Sequence, residues 1–475
     1  METTEPSIDV VESKQCLQIS SRLTFIELRE FLTLVEQSAV KYDPRYVLKV
    51  FRELTPLRRE LDAGSLLKVI KQTVPESQTH YGNLVGALAD YDDAVMDEDF
   101  SVPTPRPDID LFLHLLVQIF LHDKKDFNRL ELFNQKTVIA LAQYNERTLD
   151  HIAAKIWFYV FRSKEALKDT VSIRPALQTA LRTATLRHDN EIRAAAITLL
   201  LRSYLLSNDI NQAYNLVEKT EFPEQVTNSV VARYYYYLAR IQTIQLDYSS
   251  ANECAITAIR KCPQTKSALG FLQAATKLHI LIQLLTGEIP ELSTFRDLAL
   301  EKSLTPYLAV TRAVRLGDLN LFNDALTKYG ASLKKDTNYN LVLRLRQNVI
   351  KTGIRIISLS YKKISLKDIC IKLHLDSELS AEYIVAKAIK DGVIDATIEH
   401  KDGYMKSNEM LDVYSTRAPQ EEFDRRIKFC MALNNDSVRA MRYPLSTNRG
   451  EIKADVDFKE REQEILQYLQ EDDFF

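Results

Sequence analysis

Glycine is the scarcest feature of this chain: 11 of 475 residues, about 2% against the roughly 7% of an ordinary globular protein. Few glycines leave few positions for left-handed turns, so long helices are expected. The same shortage removes the loops that cradle phosphates. Neither a G-x-x-x-x-G-K-[ST] run nor a G-x-G-x-x-G run occurs, so nucleotide binding is not expected and no cofactor is implied. Cysteine is sparse too. Cys16, Cys254, Cys262, Cys370 and Cys430 form an odd, scattered set without a C-x-x-C pair and read as reduced thiols of a cytosolic or nuclear protein. An excess of one charge is also lacking. The 62 basic and 65 acidic residues leave a net charge of -3, and because they are interspersed no polyanion-binding face is expected. Long apolar stretches are interrupted by charges and the first residues are acidic and polar, so neither a signal peptide nor a membrane span is expected.

Catalytic constellations are missing as well. His80, His114, His122, His151, His188, His279, His374 and His400 never fall within two residues of one another, which leaves no His-x-His metal pair and favours ordinary surface or core histidines. No G-x-S-x-G elbow and no nucleophilic cysteine signature occurs. Lys351-Thr352-Gly353 matches one motif of penicillin-binding enzymes but lacks its serine and lysine partners. The acidic run Asp90, Asp92, Asp93, Asp97, Glu98 and Asp99 lacks the glycine and the glutamate an EF-hand loop requires. Neither metal binding nor catalysis is expected.

What is present is helical. Residues 1–100 read as a polar start followed by amphipathic helices, with Leu23, Ile26, Phe31, Leu34 and Val35, then Val47, Leu48, Phe51 and Leu54, at helical spacing. The acidic run and Pro103, Pro105 and Pro107 read as a stiffened linker ending this region. Residues 101–337 then repeat a helix-turn-helix grammar. One unit turns at Asn208-Asp209-Ile210-Asn211 and stops at Pro223; the next turns at Asp247-Tyr248-Ser249-Ser250 and stops at Pro263. A third turns at Gly317-Asp318-Leu319. The spacing fits the roughly 34-residue period of tetratricopeptide-like pairs, which stack into a solenoid with a concave binding side.

From residue 338 to 413 the period changes. Tyr339 to Ser358 should form a helix burying Leu341, Leu345, Val349, Ile350, Ile354, Ile357 and, just beyond, Leu359. Ser365 and Asp368 can cap a short second helix with Ile369, Ile371 and Leu373 inside. A third helix from Ser380 should bury Tyr383, Ile384, Ala388 and Ile389 and end at Gly392. Val393, Ile394, Ala396 and Ile398 then make a strand, Lys401-Asp402-Gly403 a turn, and Tyr404-Met405 the returning strand. This is the order of a winged helix with a two-stranded wing. The fold class is therefore mainly α: a helical-repeat solenoid capped by a winged helix, with C-terminal helices over 414–475.

The runs Arg344-Leu345-Arg346-Gln347-Asn348, Val385-Ala386-Lys387-Ala388-Ile389 and Leu411-Asp412-Val413-Tyr414-Ser415 carry a resemblance to the PCI-domain family, and within it to subunits of the proteasome regulatory-particle lid. Ala232-Arg233-Tyr234-Tyr235-Tyr236-Tyr237, Gly287-Glu288-Ile289-Pro290 and Met441-Arg442-Tyr443-Pro444 extend it, so that it runs from about Asp110 to Pro444. The resemblance implies a PCI domain over about 228–408 and a non-catalytic scaffold that supports lid assembly and degradation of ubiquitinated proteins in cytoplasm and nucleus. It implies neighbouring PCI subunits, a small acidic lid protein and a bundle of C-terminal helices as partners, with no DNA, RNA or membrane. Winged helices of this family join edge to edge, which makes Val393, Ile394, Ile398, Tyr404 and Met405 the candidate interface. Phe458, Ile465, Leu466 and Leu469 are the candidate contacts to the helix bundle, continuing a stripe begun by Phe423, Ile427, Cys430, Met431, Val438 and Met441.

Two alternatives belong beside this reading. One is a PCI subunit of the signalosome or of a translation-initiation complex. The other is a winged-helix nucleic-acid binder, which the third helix serves poorly: Lys387 and Lys390 are offset by Glu382 and Asp391, and arginine is absent. Tyr234 to Tyr237 could form a stacking platform, but consecutive helical residues point around the axis at about 100° steps, which favours packing.

Overall fold

The computed structural model describes residues 8–59, 61–75, 80–88, 106–144, 146–375, 377–408, 413–441 and 461. These form two units, one of Met1–Ile357 with Asp368–Ala381 and one of Ser358–Lys367 with Glu382–Phe475.

The first unit opens with α1 (Ile8–Lys41), α2 (Arg45–Leu57), α3 (Ala63–Thr73) and α4 (Tyr81–Leu88), followed by α5 (Pro107–Lys124), α6 (Phe127–Gln143) and α7 (Asp150–Ala166). Pro107 at the first turn of α5 costs no hydrogen bond because that amide has no intrahelical partner. Leu28, Val35, Val50, Leu66, Ile70, Leu84 and Leu88 share one core with Leu111, Phe112, Leu116, Ile156 and Phe161. The boundary expected near residue 100 therefore does not divide the packing: helices before and after it bury their apolar faces against each other. The acidic and proline-rich stretch itself, 89–105, lies outside the described residues.

Further along come α8 (Arg174–Arg187), α9 (Asn190–Leu206), α10 (Ile210–Lys219), α11 (Asn228–Gln245), α12 (Tyr248–Lys261), α13 (Leu269–Thr286), α14 (Leu292–Phe295), α15 (Glu301–Leu316), α16 (Leu319–Lys335) and α17 (Tyr339–Ser360). Their joints share one device. Lys125, His188, Asn208, Leu246, Gly317 and Thr337 all take positive φ, between 60° and 76°, and each is followed by Asp or Asn. The amide of that acid or amide residue usually bonds back across the helix end, as in Asp189 to Ala184, Asp209 to Tyr204, Asp247 to Gln242 and Asn338 to Leu333 at 2.9 to 3.1 Å, which is the Schellman pattern. The same residue starts the next helix; Asp247 and Asp318 accept amide hydrogens from Ser250 and Asn320. One helix thus stops and the next begins two or three residues later, and at five of these six joints the left-handed residue is not the glycine such turns usually need.

Small residues allow close pairing. Ala213, Ala251, Ala255 and Ala258 are buried where α10 and α12 meet their neighbours. At Gly317 and Gly353 two backbones meet: a Cβ added at Gly317 would lie 2.5 Å from the Gly353 nitrogen. Lys266–Thr286, containing α13, is long and apolar enough by composition to cross a membrane. Its apolarity has another cause here, because α13 packs against both α12 and α15 and buries Leu278, Ile280, Leu281, Ile282 and Leu284.

Residues 339–407 follow the order helix, strand, helix, helix, strand, strand: α17, β1 (Lys363–Ser365), α18 (Leu366–Leu373), α19 (Glu378–Lys390), β2 (Ala396–Glu399) and β3 (Tyr404–Ser407). The sheet has three strands rather than two, in the order β1-β3-β2, both pairings antiparallel. Gly392 ends α19 at φ +70°, and Val393 donates to the Ala388 carbonyl across it at 3.0 Å. The buried face of α19 is Ala381, Val385 and Ala388, while Tyr383 is exposed. Ile371 and Leu359, expected inside, are also exposed. The remaining described helix is α20 (Ala418–Met441).

Candidate functional site

Two cavities in the first unit, of about 500 and 690 Å³, share Arg202 and Tyr237 in their linings and together form a groove. The first is walled by Phe51, Phe158, Phe161 and Phe271 and holds Arg52, Lys155, Arg162, Arg202 and Arg233 against Glu165 and Glu191. The second adds Arg240, Lys334 and Arg344, with no carboxylate in its lining. Part of this charge is neutralised internally. Arg202 Nε donates to Glu165 at 3.2 Å and its Nη1 to the Tyr237 hydroxyl at 3.0 Å. Burial alone would raise the Glu165 pKa, but the hydrogen bond and charge of Arg202 outweigh it and hold the carboxyl below its ordinary value. Glu191 accepts the Thr227 amide at 2.8 Å and the Thr227 hydroxyl at 2.7 Å, which ties the residue before α11 to α9.

Lys155 and Arg233 are different. Among the described residues neither donates to a carboxylate; Lys155 Nζ lies over the Phe51 ring, 5.6 Å from its centroid, and the Arg233 guanidinium over Phe158 at 5.1 Å. Lys155 is exposed and Arg233 half-buried; desolvation lowers both pKa values, Arg233 adding to this at Lys155 while Glu191 opposes it, and Arg202 and Arg162 adding to it at Arg233 while Tyr237 opposes it. The arrangement suits an anionic, partly aromatic segment, with carboxylates at the cations and rings on the phenylalanine walls. The sequence reading expected no such face. The correction is geometric: cations on α2, α7, α9, α11, α16 and α17, separated by up to hundreds of residues, converge where the helices stack.

The tyrosine run contributes as packing and as wall. Tyr234 and Tyr237 are buried, Tyr234 stacks on Phe222 with centroids 4.0 Å apart, and Tyr236 meets Phe271 edge-on at 5.4 Å. The rings point to different neighbours, so no stacking platform forms.

The expected wing edge needs correction. β3 is central, with Ile364 opposite Met405 on one side and Ile398 opposite Met405 on the other. Tyr404 and Met405 are therefore not on an edge, and Met405 is fully buried, as is most of Ile394. The free edges of this sheet are β1 and β2, and β2 carries Ile398, with Val393 just before it; both are half-buried. The third strand had no sequence signal beyond Lys363-Ile364-Ser365, too short for an alternating pattern.

No residue of α20 is buried. Phe423, Ile427, Phe429, Met431, Leu433 and Met441 are 55 to 78% exposed. At 100° per residue, Phe423, Ile427, Cys430 and Met441 form one stripe and Phe429 and Leu433 flank it, so the apolar arc covers roughly half the helix. Phe458, Ile465, Leu466 and Leu469 lie outside the described residues.

Comparison with known proteins covers most of this chain. The family model for PSMD3-like, N-terminal TPR repeats matches residues 20–311, the PCI domain 326–409, and the C-terminal domain of proteasome regulatory subunits 412–474. The probable 26S proteasome regulatory subunit rpn3 of Schizosaccharomyces pombe is 43% identical over 463 residues, covering 96% of this chain and 93% of the relative. The Saccharomyces cerevisiae 26S proteasome regulatory subunit RPN3 is 43% identical over 88% of this chain and 86% of its own length. The probable 26S proteasome non-ATPase regulatory subunit 3 of Anopheles gambiae is 41% identical over 98% and 96%. The likeness extends beyond the span read from sequence, into both the N-terminal helices and the tail.

Proposed function

The chain belongs to the family of 26S proteasome regulatory subunit RPN3, also called non-ATPase regulatory subunit 3, and from that premise we propose that it acts as a non-catalytic scaffold of the proteasome regulatory particle, within the lid, supporting degradation of ubiquitinated proteins. The observation that carries this is the length of the match: relatives align over nearly the whole chain, tail included, so the architecture is shared and not a single repeat or wing. Stacked repeats and a helix with an uncovered apolar face are what a scaffold needs, because they present long surfaces without moving parts.

Three contacts follow from the surfaces. The β2 edge, with Val393 and Ile398, is proposed to meet the PCI domain of a neighbouring lid subunit by extending the sheet. α20 and the downstream stripe of Phe458, Ile465, Leu466 and Leu469 are proposed to enter a bundle of C-terminal helices. Burying each such side chain contributes roughly 1.5 to 3 kcal/mol before the entropy of ordering is subtracted. The basic, aromatic groove is proposed to hold the small acidic lid protein, whose carboxylates would meet the cations of a lining that in its second part holds no acid. The compartments proposed are cytoplasm and nucleus. Co-expression with the other lid subunits, followed by native electrophoresis, tests the reading: the chain should enter a complex of lid size, and a chain that stays monomeric in their presence would refute it.

A further inference from the structure

The cavity of about 690 Å³ has two unlike sides. The joint between α9 and α10 gives it Leu205, Leu206 and Ile210, while α11, α16 and α17 bring Arg240, Lys334 and Arg344. The arginines cross-tie α11 and α17: Arg240 Nη2 donates to the Thr337 hydroxyl at 2.9 Å, just before α17, and Arg344 Nη1 to the Thr243 carbonyl at 3.5 Å, near the end of α11. Both acceptors are neutral, so the two guanidinium groups are positioned without being neutralised and have further N–H donors to offer. The Lys334 ammonium lies 5.1 Å from the centroid of the Tyr339 ring. Acids next to the lining are engaged elsewhere, Asp209 with Arg174 at 2.9 Å and Asp336 with Lys277 at 2.8 Å. Among the described residues no carboxylate lines the cavity itself.

The volume falls within the roughly 300 to 1,000 Å³ of small-molecule sites. Three cations from three helices converge on it, and the arginine fork matches the oxygens of a phosphate two at a time. We propose that this cavity binds an oligophosphate, either free or as the ester of an organic body, with its phosphates at Arg240, Lys334 and Arg344 and any organic body against Leu205, Leu206 and Ile210. The chain lacks the glycine-rich loops that hold phosphates through backbone amides; side chains brought together by the stacking of helices take that role here. Such a ligand is independent of the acidic partner, and the chain by itself suffices to bind it.

The test is calorimetric titration of the full chain with sodium tripolyphosphate at physiological ionic strength, without divalent metal. Saturable binding with a Kd of roughly 100 μM is expected. Arg240→Gln and Arg344→Gln should each weaken it about tenfold, the size of a lost charge-assisted hydrogen bond. Lys334→Gln, at an exposed position, should weaken it about threefold and decides the matter if circular dichroism shows that either arginine substitution loosens the helices. Arg52→Gln, in the other cavity, should leave the affinity unchanged. ATP, with a phosphate chain of the same length, separates the two sources: binding about tenfold tighter than tripolyphosphate places an organic body on the apolar side, and equal or weaker binding assigns the cavity to the free chain. No saturable binding of either compound up to about 1 mM, affinity indifferent to all three substitutions, or equal displacement by sulfate at the same ionic strength would overturn the proposal. The acidic-partner reading stands or falls separately, in the co-expression experiment.

Discussion

Gly317 and Gly353 allow the sharpest quantitative test of the packing. Gly317 sits in the turn between α15 and α16 at φ +70°, and Gly353 lies on α17 against it. Gly317→Ala brings two costs. The left-handed backbone conformation costs roughly 1 to 2 kcal/mol for a residue with a Cβ. That Cβ would also stand 2.5 and 2.6 Å from the nitrogen and Cα of Gly353, backbone atoms that cannot rotate away, which adds an overpacking cost of about 1 to 3 kcal/mol. The expected loss is therefore about 2 to 5 kcal/mol. Gly353→Ala meets the Gly317 carbonyl oxygen at 2.8 Å and a Leu373 methyl at 2.7 Å, but it recovers about 1 kcal/mol of helix propensity, for a net loss of about 0 to 2 kcal/mol. Gly330→Ala is the control: it is helical and its nearest neighbour is an ordinary 3.9 Å contact with Tyr339, so it should be neutral or slightly stabilising. Trp157, the single tryptophan of the chain, is buried in the same unit, and its fluorescence during urea titration reports each variant. The predicted order of stability is Gly330→Ala, unaltered chain, Gly353→Ala, Gly317→Ala. Gly317→Ala unfolding within about 0.5 kcal/mol of the unaltered chain, well below the cost worked out above, would refute the reasoning.

Three further outcomes are expected. Burial, with the negative charge of Asp189 adding to it, pushes the Asp150 carboxyl from 3.8 up to about 7; since the folded pKa lies above the unfolded one, folding stability falls as pH rises from about 4 through 7, and Asp150→Asn should raise the thermal midpoint at pH 8 far more than at pH 4.5, with equal shifts contradicting the assignment. Asp318→Ala removes the acceptor of the Asn320 amide at 2.8 Å and should cost about 0.5 to 2 kcal/mol in the same Trp157 assay, whereas no loss would show that the helix start is held otherwise. Ile465→Asp should impair entry into the lid more than Glu464→Ala, measured by native electrophoresis after co-expression; equal incorporation would argue against the apolar stripe.

Much of the repeat architecture was legible because its signals are local. Asn208-Asp209 and Asp247 mark turns in the sequence, and the helices ending and starting there are where periodicity puts them. The same left-handed residue followed by Asp recurs at Lys125 and His188, yet lysine and histidine give no hint of a turn, since the conformation is imposed by the packing of both helices. In the winged helix, Gly392 and Gly403 were legible from backbone requirements, whereas β1 was not: three residues pair with a strand about 40 positions later, and only the completed sheet selects them. Tyr383 was misplaced inside because an aromatic at helical spacing predicts a buried face, but the face of α19 that packs is small, with Ala381, Val385 and Ala388. The groove was illegible for a different reason. Its cations run from Arg52 to Arg344 in a chain of net charge -3, and overall charge balance hides a local field that exists only once the helices converge.

The central claim is that this chain is a built-in scaffold of the proteasome regulatory particle. Purification of the chain tagged at its native level, with quantitative mass spectrometry of what accompanies it, tests that most directly. Lid, base and core-particle subunits should be recovered in near-equal ratio to the chain. Recovery of a different PCI assembly, or of the chain without stable partners, would contradict it.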